Sequence, residues 1–283
     1  MAQPIRRKRT VKKNKPRFFG KWFLVVFSFF LLLIITIGIY KFRDGFLYYL
    51  GFKTDKYANE LSADERKLTD IRIYEVLHKH DNKAIGFDVS EYQSEIDWEQ
   101  TYHIDEAFEL SFVFIRSTAG KDKIDSKFKE NWKAAKERQL IRGAYHYYRP
   151  NENSIEQAEN FIKTVKLQKG DLPPVLDIEK LPKSQSIDSL KVGLRRWLNR
   201  IEKHYKVKPI IYSGESYYTD FLKEEFSEYP LWIANYNFWR NDLESDWQFW
   251  QFTEKAQIEG IKGMVDINIF NGDKNKLLLK CIR

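Results

Sequence analysis

The sequence predicts an α/β fold, an irregular β/α barrel of about eight strands with an incomplete ring of helices, preceded by one transmembrane helix. Three observations predict it. From Ala84 onward short apolar runs alternate with amphipathic helical patterns, as βα units require. After the sixth and seventh runs the helical pattern thins out. Far upstream, an uncharged stretch of 19 residues, Trp22 to Tyr40, follows a strongly basic tail.

The tail, residues 1–21, contains Arg6, Arg7, Lys8, Arg9, Lys12, Lys13, Lys15, Arg17 and Lys21 and no acid, which gives it a charge of +9. Against a total of +8, everything after residue 21 carries only −1, so the basic character belongs to the tail. The uncharged stretch that follows is long enough to cross a hydrocarbon core, at roughly 28 Å of helix. Only Lys41 and Arg43 follow it closely, so the positive-inside rule places residues 1–21 in the cytoplasm and the remainder outside. The stretch runs into Lys41-Phe42-Arg43-Asp44 without a small-residue cleavage site, which favours an uncleaved signal anchor over residues 22–40. Topology accounts for the basic tail better than a nucleic-acid partner does. The single cysteine, Cys281, excludes an intrachain disulfide and lies at the wrong end for a lipoprotein.

Residues 41–83 read as an extracytoplasmic stalk with a helix over Ala63 to His80. Its histidines, His78 and His80, lack a third ligand nearby and are expected to be solvated rather than metal-bound. The barrel domain is expected over residues 84–283. Its strand candidates are Ala84 to Val89, Ser111 to Arg116, Ile141 to Tyr147, Pro174 to Glu179, Pro209 to Ser213, Pro230 to Ala234, Trp247 to Phe252 and Met264 to Phe270. Helical segments separate the first six, most clearly at Ser126 to Gln139, Ser154 to Lys166 and Ile187 to Tyr205. In the last of these, Leu190, Leu194, Trp197, Leu198 and Ile201 recur at helical spacing and form a stripe to be buried. Roughly 200 residues is short for an eightfold barrel of about 250, and missing helices in the last third account for the difference.

Chemistry in such a barrel belongs to the C-terminal ends of the strands. Near that end of the first strand is Asp88, of the fourth Asp177 and Glu179, and of the eighth Asp266. Residues i and i+2 of a strand share a face, so Asp177 and Glu179 stand roughly 6 to 7 Å apart along the backbone and can act on one bound group. Carboxylates in apolar strands are costly unless paired or protonated. Clustered acids raise one another's pKa, which keeps a carboxylic acid protonated near neutral pH. The pattern suits glycoside hydrolysis. Tyr92, Tyr145, Tyr147, Tyr212, Trp232, Tyr236 and Trp250 interleave with the acids; they can stack on sugar faces or simply pack a core. His146, within the third strand, reads as a hydrogen-bonded core or subsite residue. No cluster has metal-ligand spacing, no Gly-x-Ser-x-Gly elbow occurs and no glycine-rich phosphate loop is present, so no metal and no cofactor are expected.

Several ordered segments resemble the glycoside hydrolase family 25 lysozymes, the Chalaropsis-type N-acetylmuramidases. They are Gly86-Phe87-Asp88-Val89-Ser90-Glu91-Tyr92-Gln93 with Ile96-Asp97-Trp98, Phe112 to Gly120, Gly143-Ala144-Tyr145-His146, Pro174 to Glu179, Leu231 to Ala234 with Tyr236, and Trp250-Gln251-Phe252 with Val265-Asp266. The resemblance implies a flattened barrel of eight strands and five helices. It also implies cleavage of the β-1,4 bond between N-acetylmuramic acid and N-acetylglucosamine in peptidoglycan glycan strands. Carried over by position, Glu179 would be the general acid and Asp177 its assisting carboxylate, with Asp88 and Asp266 completing an acidic floor. Tyr92, Tyr145, His146, Tyr212, Trp232, Tyr236 and Gln251 would line the saccharide groove. Three other readings stay open at this stage: a catalytically silent glycan-binding protein, a hydrolase of another N-acetylated polymer such as chitin, and a membrane-tethered envelope scaffold.

Overall fold

The computed structural model describes residues 26–33, residue 36 and residues 63–283. Residues 26–33 and Thr36 are helical and exposed. The remainder of the expected span Trp22–Tyr40, the basic tail and residues 41–62 of the expected stalk lie outside the described residues. Among the described residues, no helix is long and apolar enough to cross a membrane. Asn59–Arg283 form one compact unit.

Eight strands close a barrel within that unit: β1 (Ile85–Val89), β3 (Phe108–Ala119), β5 (Ile141–Tyr147), β6 (Val175–Asp177), β7 (Ile210–Gly214), β8 (Leu231–Ala234), β9 (Phe249–Ala256) and β10 (Val265–Phe270). Each of the eight strand candidates is found. Two short strands, β2 (His103–Ile104) and β4 (Lys123–Ile124), pair with β3 outside the ring. Parallel pairing of β1 with β3 and antiparallel pairing of β1 with β10 seal the barrel. Only β10 runs against its neighbours. Its reversal follows from the absence of a crossover helix between β9 and β10, since a short connection can join only antiparallel strands.

Strand alternation sorts the side chains into two layers. Phe112, Phe114, Val175, Ile210, Tyr212, Trp232, Phe249 and Phe270 form one cluster inside the barrel, closed at its lower end by Leu172, Leu277 and Cys281. Phe87, Val113, Ile115, Leu176, Ile211, Ile233, Trp250 and Ile267 face the other way, into the layer shared with the helices. Both faces are buried, and this is why the strands read as continuous apolar runs. Two glycines let the inner aromatic rings fit. A Cβ on Gly86 would stand 2.4 Å from the Phe112 carbonyl oxygen, and one on Gly143 would stand 2.5 Å from the Phe114 ring.

The outer layer is built from α1 (Ala63–Lys79), α2 (Phe128–Glu137), α3 (Ser154–Thr164) and α4 (Ile187–Tyr205). Asn153 caps α3 by accepting from the amides of Ile155 and Glu156, and Ser186 caps α4 through the amide of Ser189. The stripe expected on α4 is the buried one: Leu190, Leu194, Trp197, Leu198 and Ile201 all face the barrel. Three short helices complete the set, α5 (Glu215–Tyr217), α6 (Lys223–Phe226) and α7 (Lys274–Leu278), with a wide π-helical turn, Tyr218–Leu222, linking α5 to α6. Residues 63–283 thus hold seven α-helices where five were expected. The gap between the first two barrel strands contains a 3-10 turn (Glu91–Gln93) and β2 in place of a helix.

The expectation of a free-standing stalk helix is also corrected. Ile73, Val76 and Leu77 of α1 are buried in the outer core. They recur at spacings of three and one, the narrow apolar stripe of a helix that docks on one side. His80, expected to be solvated, is buried, and its Nε2–H donates to the Asn241 carbonyl at 3.0 Å. His78 remains exposed and stacks on Tyr74.

Candidate active site

Toward the mouth of the barrel the inward positions change from aromatic to polar. Asp88 on β1 faces Asp266 on β10 as a direct cross-strand partner. Such partners have Cβ atoms about 4.5 to 5.5 Å apart. Asp266 lies near the start of β10, and because β10 is reversed this still brings it to the mouth where the other strands end. On the far side β6 ends at Asp177, paired with Tyr147 on one flank and Tyr212 on the other. Asp88, Asp177 and Asp266 are all buried.

Glu179 lies two residues beyond the end of β6 and is half-buried. Its approach is fixed by the backbone: the Ile178 amide donates to the Tyr212 carbonyl at 3.0 Å, and Ser213 Oγ donates to the Ile178 carbonyl at 2.7 Å. Ile178 itself belongs to the outer core, so alternation puts Asp177 and Glu179 together on the inner face. Tyr217 donates its hydroxyl to the Lys180 carbonyl at 3.0 Å and holds the segment from its other end.

A chain of amide and hydroxyl donors organises Asp88. Its Oδ2 accepts from Gln251 Nε2 at 2.7 Å and from Asn268 Nδ2 at 2.9 Å. Gln251 Oε1 in turn accepts from the Tyr212 hydroxyl at 2.8 Å and from the Tyr236 hydroxyl. Asn268 Oδ1 accepts from Trp232 Nε1 at 2.8 Å. The Trp232 indole can only donate and the Asp88 carboxylate oxygen accepts from both amides, so the chain fixes the amide orientations. Trp232 is buried beneath the acids, stacked on Phe114 with ring centroids 4.2 Å apart. It is a floor that steers Asn268 and not a surface for a sugar.

Tyr145 feels the charge of all three buried aspartates. Burial pushes its hydroxyl well above the ordinary tyrosine pKa, Arg116 pulls it down, and Asp88, Asp177 and Asp266 push it further up. Tyr145 therefore stays a neutral donor among carboxylates. Arg116, its register partner on β3, is the cation of this layer. Burial alone would lower its pKa, but Tyr145 and Asp125 more than reverse that and raise it. Arg116 Nε donates to Asp125 Oδ2 at 2.8 Å, one terminal nitrogen donates to Glu91 Oε1 at 3.0 Å, and the guanidinium carbon lies 4.5 Å from the centre of the exposed Tyr92 ring. Among the described residues, no three His, Cys, Asp or Glu side chains are arranged to hold a metal ion.

A closed β/α barrel with buried carboxylates gathered at its mouth is an architecture suited to glycoside hydrolysis, and comparison with known proteins makes the class specific. The sequence model of the glycosyl hydrolases family 25 matches residues 87–261. Lysozyme M1 of Streptomyces globisporus is 32% identical over 208 residues, covering 68% of this chain and 69% of that protein. Uncharacterized protein YegX of Escherichia coli K12 is 41% identical over 194 residues, covering 68% and 71%. Among solved structures, a family 25 glycosyl hydrolase from Bacillus anthracis superposes with a TM-score of 0.63 at 28% identity, covering 71% of this chain and 94% of that one. The chain belongs to glycosyl hydrolases family 25, and it is a glycoside hydrolase.

The barrel gathers Asp88, Asp177, Asp266, Tyr145, Tyr212, Tyr236 and Gln251 at one mouth, with Glu179 at its edge and Tyr92 on the rim over Arg116. His146 is not among them, and this corrects the expectation that it lines the groove. It faces outward from β5, fully buried, stacked on Trp197 at 5.5 Å. Gln157 Oε1 accepts from the Arg149 amide, so His146 Nε2–H donates to the same oxygen at 3.2 Å and Nδ1 accepts from Thr118 Oγ1 at 2.7 Å. Burial lowers its pKa to about 3, so the ring is neutral. Trp250 also faces outward, its Nε1–H donating to the Asn235 carbonyl. The sequence reading missed Asn268 and Arg116. Asn268 stands two residues from Asp266, on the same face by the rule that pairs Asp177 with Glu179, so its signal was present. Arg116 shares a face with Phe112 and Phe114.

Proposed function

We propose that the protein is an N-acetylmuramidase, hydrolysing the β-1,4 bond between N-acetylmuramic acid and N-acetylglucosamine in peptidoglycan. The observation that carries this reading is the gathering of buried Asp88, Asp177 and Asp266 at one barrel mouth, with half-buried Glu179 just beyond the end of β6. Glu179 alone of the four acids combines access to the mouth with support from the barrel wall, as a general acid needs. In its protonated form it gives its proton to the glycosidic oxygen as the C–O bond breaks. Asp177, on the same face, orients the substrate's acetamido group, whose oxygen attacks the anomeric carbon. Water then opens the cyclic intermediate, its proton passing to the Glu179 carboxylate. Asp88 and Asp266 bind sugar hydroxyls and favour the positive charge that develops at the anomeric carbon. Tyr145, Tyr212, Tyr236 and Gln251 order this floor, and Tyr92 flanks it.

The same reading places the enzyme at a membrane. Residues 1–21 are a cytoplasmic tail, residues 22–40 an uncleaved anchor, and the hydrolase stands outside facing the wall. The nine basic residues before the uncharged stretch, against two shortly after it, support this orientation.

Digestion of purified peptidoglycan, followed by mass spectrometry of the fragments, tests the function. Muropeptides ending in reducing N-acetylmuramic acid are expected. Fragments ending in reducing N-acetylglucosamine, or cleavage of chitin oligosaccharides alone, would refute it.

A further inference from the structure

Outside the carboxylate cluster, one buried charge among the described residues needs an explanation. Arg72 of α1 is buried, and among the described residues no carboxylate forms an ion pair with it. Burial lowers its pKa to about 10, which leaves it charged at neutral pH. Its donors go instead to backbone carbonyls of two distant segments. One terminal nitrogen donates to Phe252 at 2.8 Å, the other to Asn237 at 2.9 Å, and Nε reaches Phe238 at 3.3 Å. Phe252 is the residue after Gln251. Asn237 is the residue after Tyr236. The Tyr236 hydroxyl donates to Gln251, and Gln251 donates to Asp88.

We infer that Arg72 is a positioning residue of the hydrolase, a clamp that sets the spacing between the two segments carrying Tyr236 and Gln251 and thereby fixes Asp88. A guanidinium holds its donors in a rigid planar fork, so its acceptors are fixed relative to each other as well as to the arginine. The end of the same helix and the residue after it grip the same loop twice more: Lys79 pairs with Asp242 at 2.6 Å, and His80 donates to the Asn241 carbonyl. The helix precedes residues 87–261, where the family model matches. The helix that leads into the barrel thus shapes a catalytic mouth it does not line.

The inference rests on the muramidase reading, and the test separates the two. The full-length chain in detergent is compared with Arg72→Met, Tyr236→Phe, the double variant, and Val76→Ala, which loosens α1 at a core position away from the loop. Arg72→Met is expected to lower kcat/KM on peptidoglycan about tenfold or more, since small misplacements of reacting groups are costly. Val76→Ala, at a comparable loss of melting temperature, is expected to stay within about twofold of the parent. Tyr236→Phe is expected to lower activity, and adding Arg72→Met to it is expected to lower activity no further. Should Arg72→Met fail to fold, Arg72→Lys keeps the charge and most of the stem but lacks the planar fork, and carries the same comparison. Parental activity in the Arg72 variant, a loss equal to that of Val76→Ala, or losses that multiply with Tyr236→Phe would each overturn the clamp. A parent chain that cleaves no peptidoglycan would overturn the functional reading, and the inference with it.

Discussion

Glu179→Gln is the most direct probe of the proposed chemistry. The substitution keeps the size and shape of the side chain and removes only the transferable proton. The backbone on either side is held by other residues: Ile178 through its amide and carbonyl, and Lys180 through its carbonyl, by Tyr212, Ser213 and Tyr217. Because Glu179 is half-buried and its backbone is pinned by others, the stability change should stay within about 0.5 kcal/mol, as for a surface substitution. The rate is a different matter. Loss of general acid assistance typically costs about 10² to 10⁴ in turnover. At about 1.36 kcal/mol per factor of ten, this is roughly 2.7 to 5.4 kcal/mol of transition-state stabilisation. Turbidity loss of a peptidoglycan suspension, with melting temperature measured on the same sample, reads both quantities. A folded Glu179→Gln protein that clears the suspension at the parental rate would refute the assignment and move the proton donor to another carboxylate.

Gly86→Ala should destabilise by about 1 to 3 kcal/mol in chemical denaturation, because the new Cβ meets a carbonyl oxygen at 2.4 Å that no rotamer change can move. Stability should fall on acidification between the unfolded histidine pKa of about 6.5 and the folded value of about 3 for His146. There the unfolded chain binds the proton and the folded one does not, with a slope of at most about 1.4 kcal/mol per pH unit from this group. His146→Gln should flatten that slope, and an unchanged slope would show that the ring is not held neutral. A chain beginning at Asn82 should melt well below one beginning at Asn59, since it lacks the burial of Ile73, Val76 and Leu77, each worth about 1.5 to 3 kcal/mol. The intact protein should remain with membranes through carbonate extraction, with its C-terminal region open to external protease; recovery in the soluble fraction would exclude the anchor.

Strands buried on both faces advertise themselves as apolar runs, and all eight were legible for that reason. So was the α4 stripe, whose five buried residues recur over about three turns. Strand direction leaves no mark in such runs, and Asp266 was therefore expected at the wrong end of β10 though at the right end of the barrel. Docking of α1 was hidden because Leu68, Ile71 and Tyr74 are exposed on the same helix and blur its narrow buried stripe. His146 was misplaced despite a usable signal. With Tyr145 facing the acids, alternation alone sends its neighbour outward. No helix fills the first barrel crossover: Ser90 and Gln93 form a capping box over a single 3-10 turn, and the chain goes on into β2.

The seam between β1 and β10 has a consequence for the nascent chain. Half of the facing aspartate pair is made early, at Asp88, and half late, at Asp266, and the residues that orient the first half, Gln251 and Asn268, are also late. A polypeptide interrupted anywhere before β10 has two open sheet edges and no complete mouth. Hydrolytic power thus arrives in one step, when β10 is in place. An enzyme assembled in this order is incapable of cutting glycan until the last strand has closed the seam.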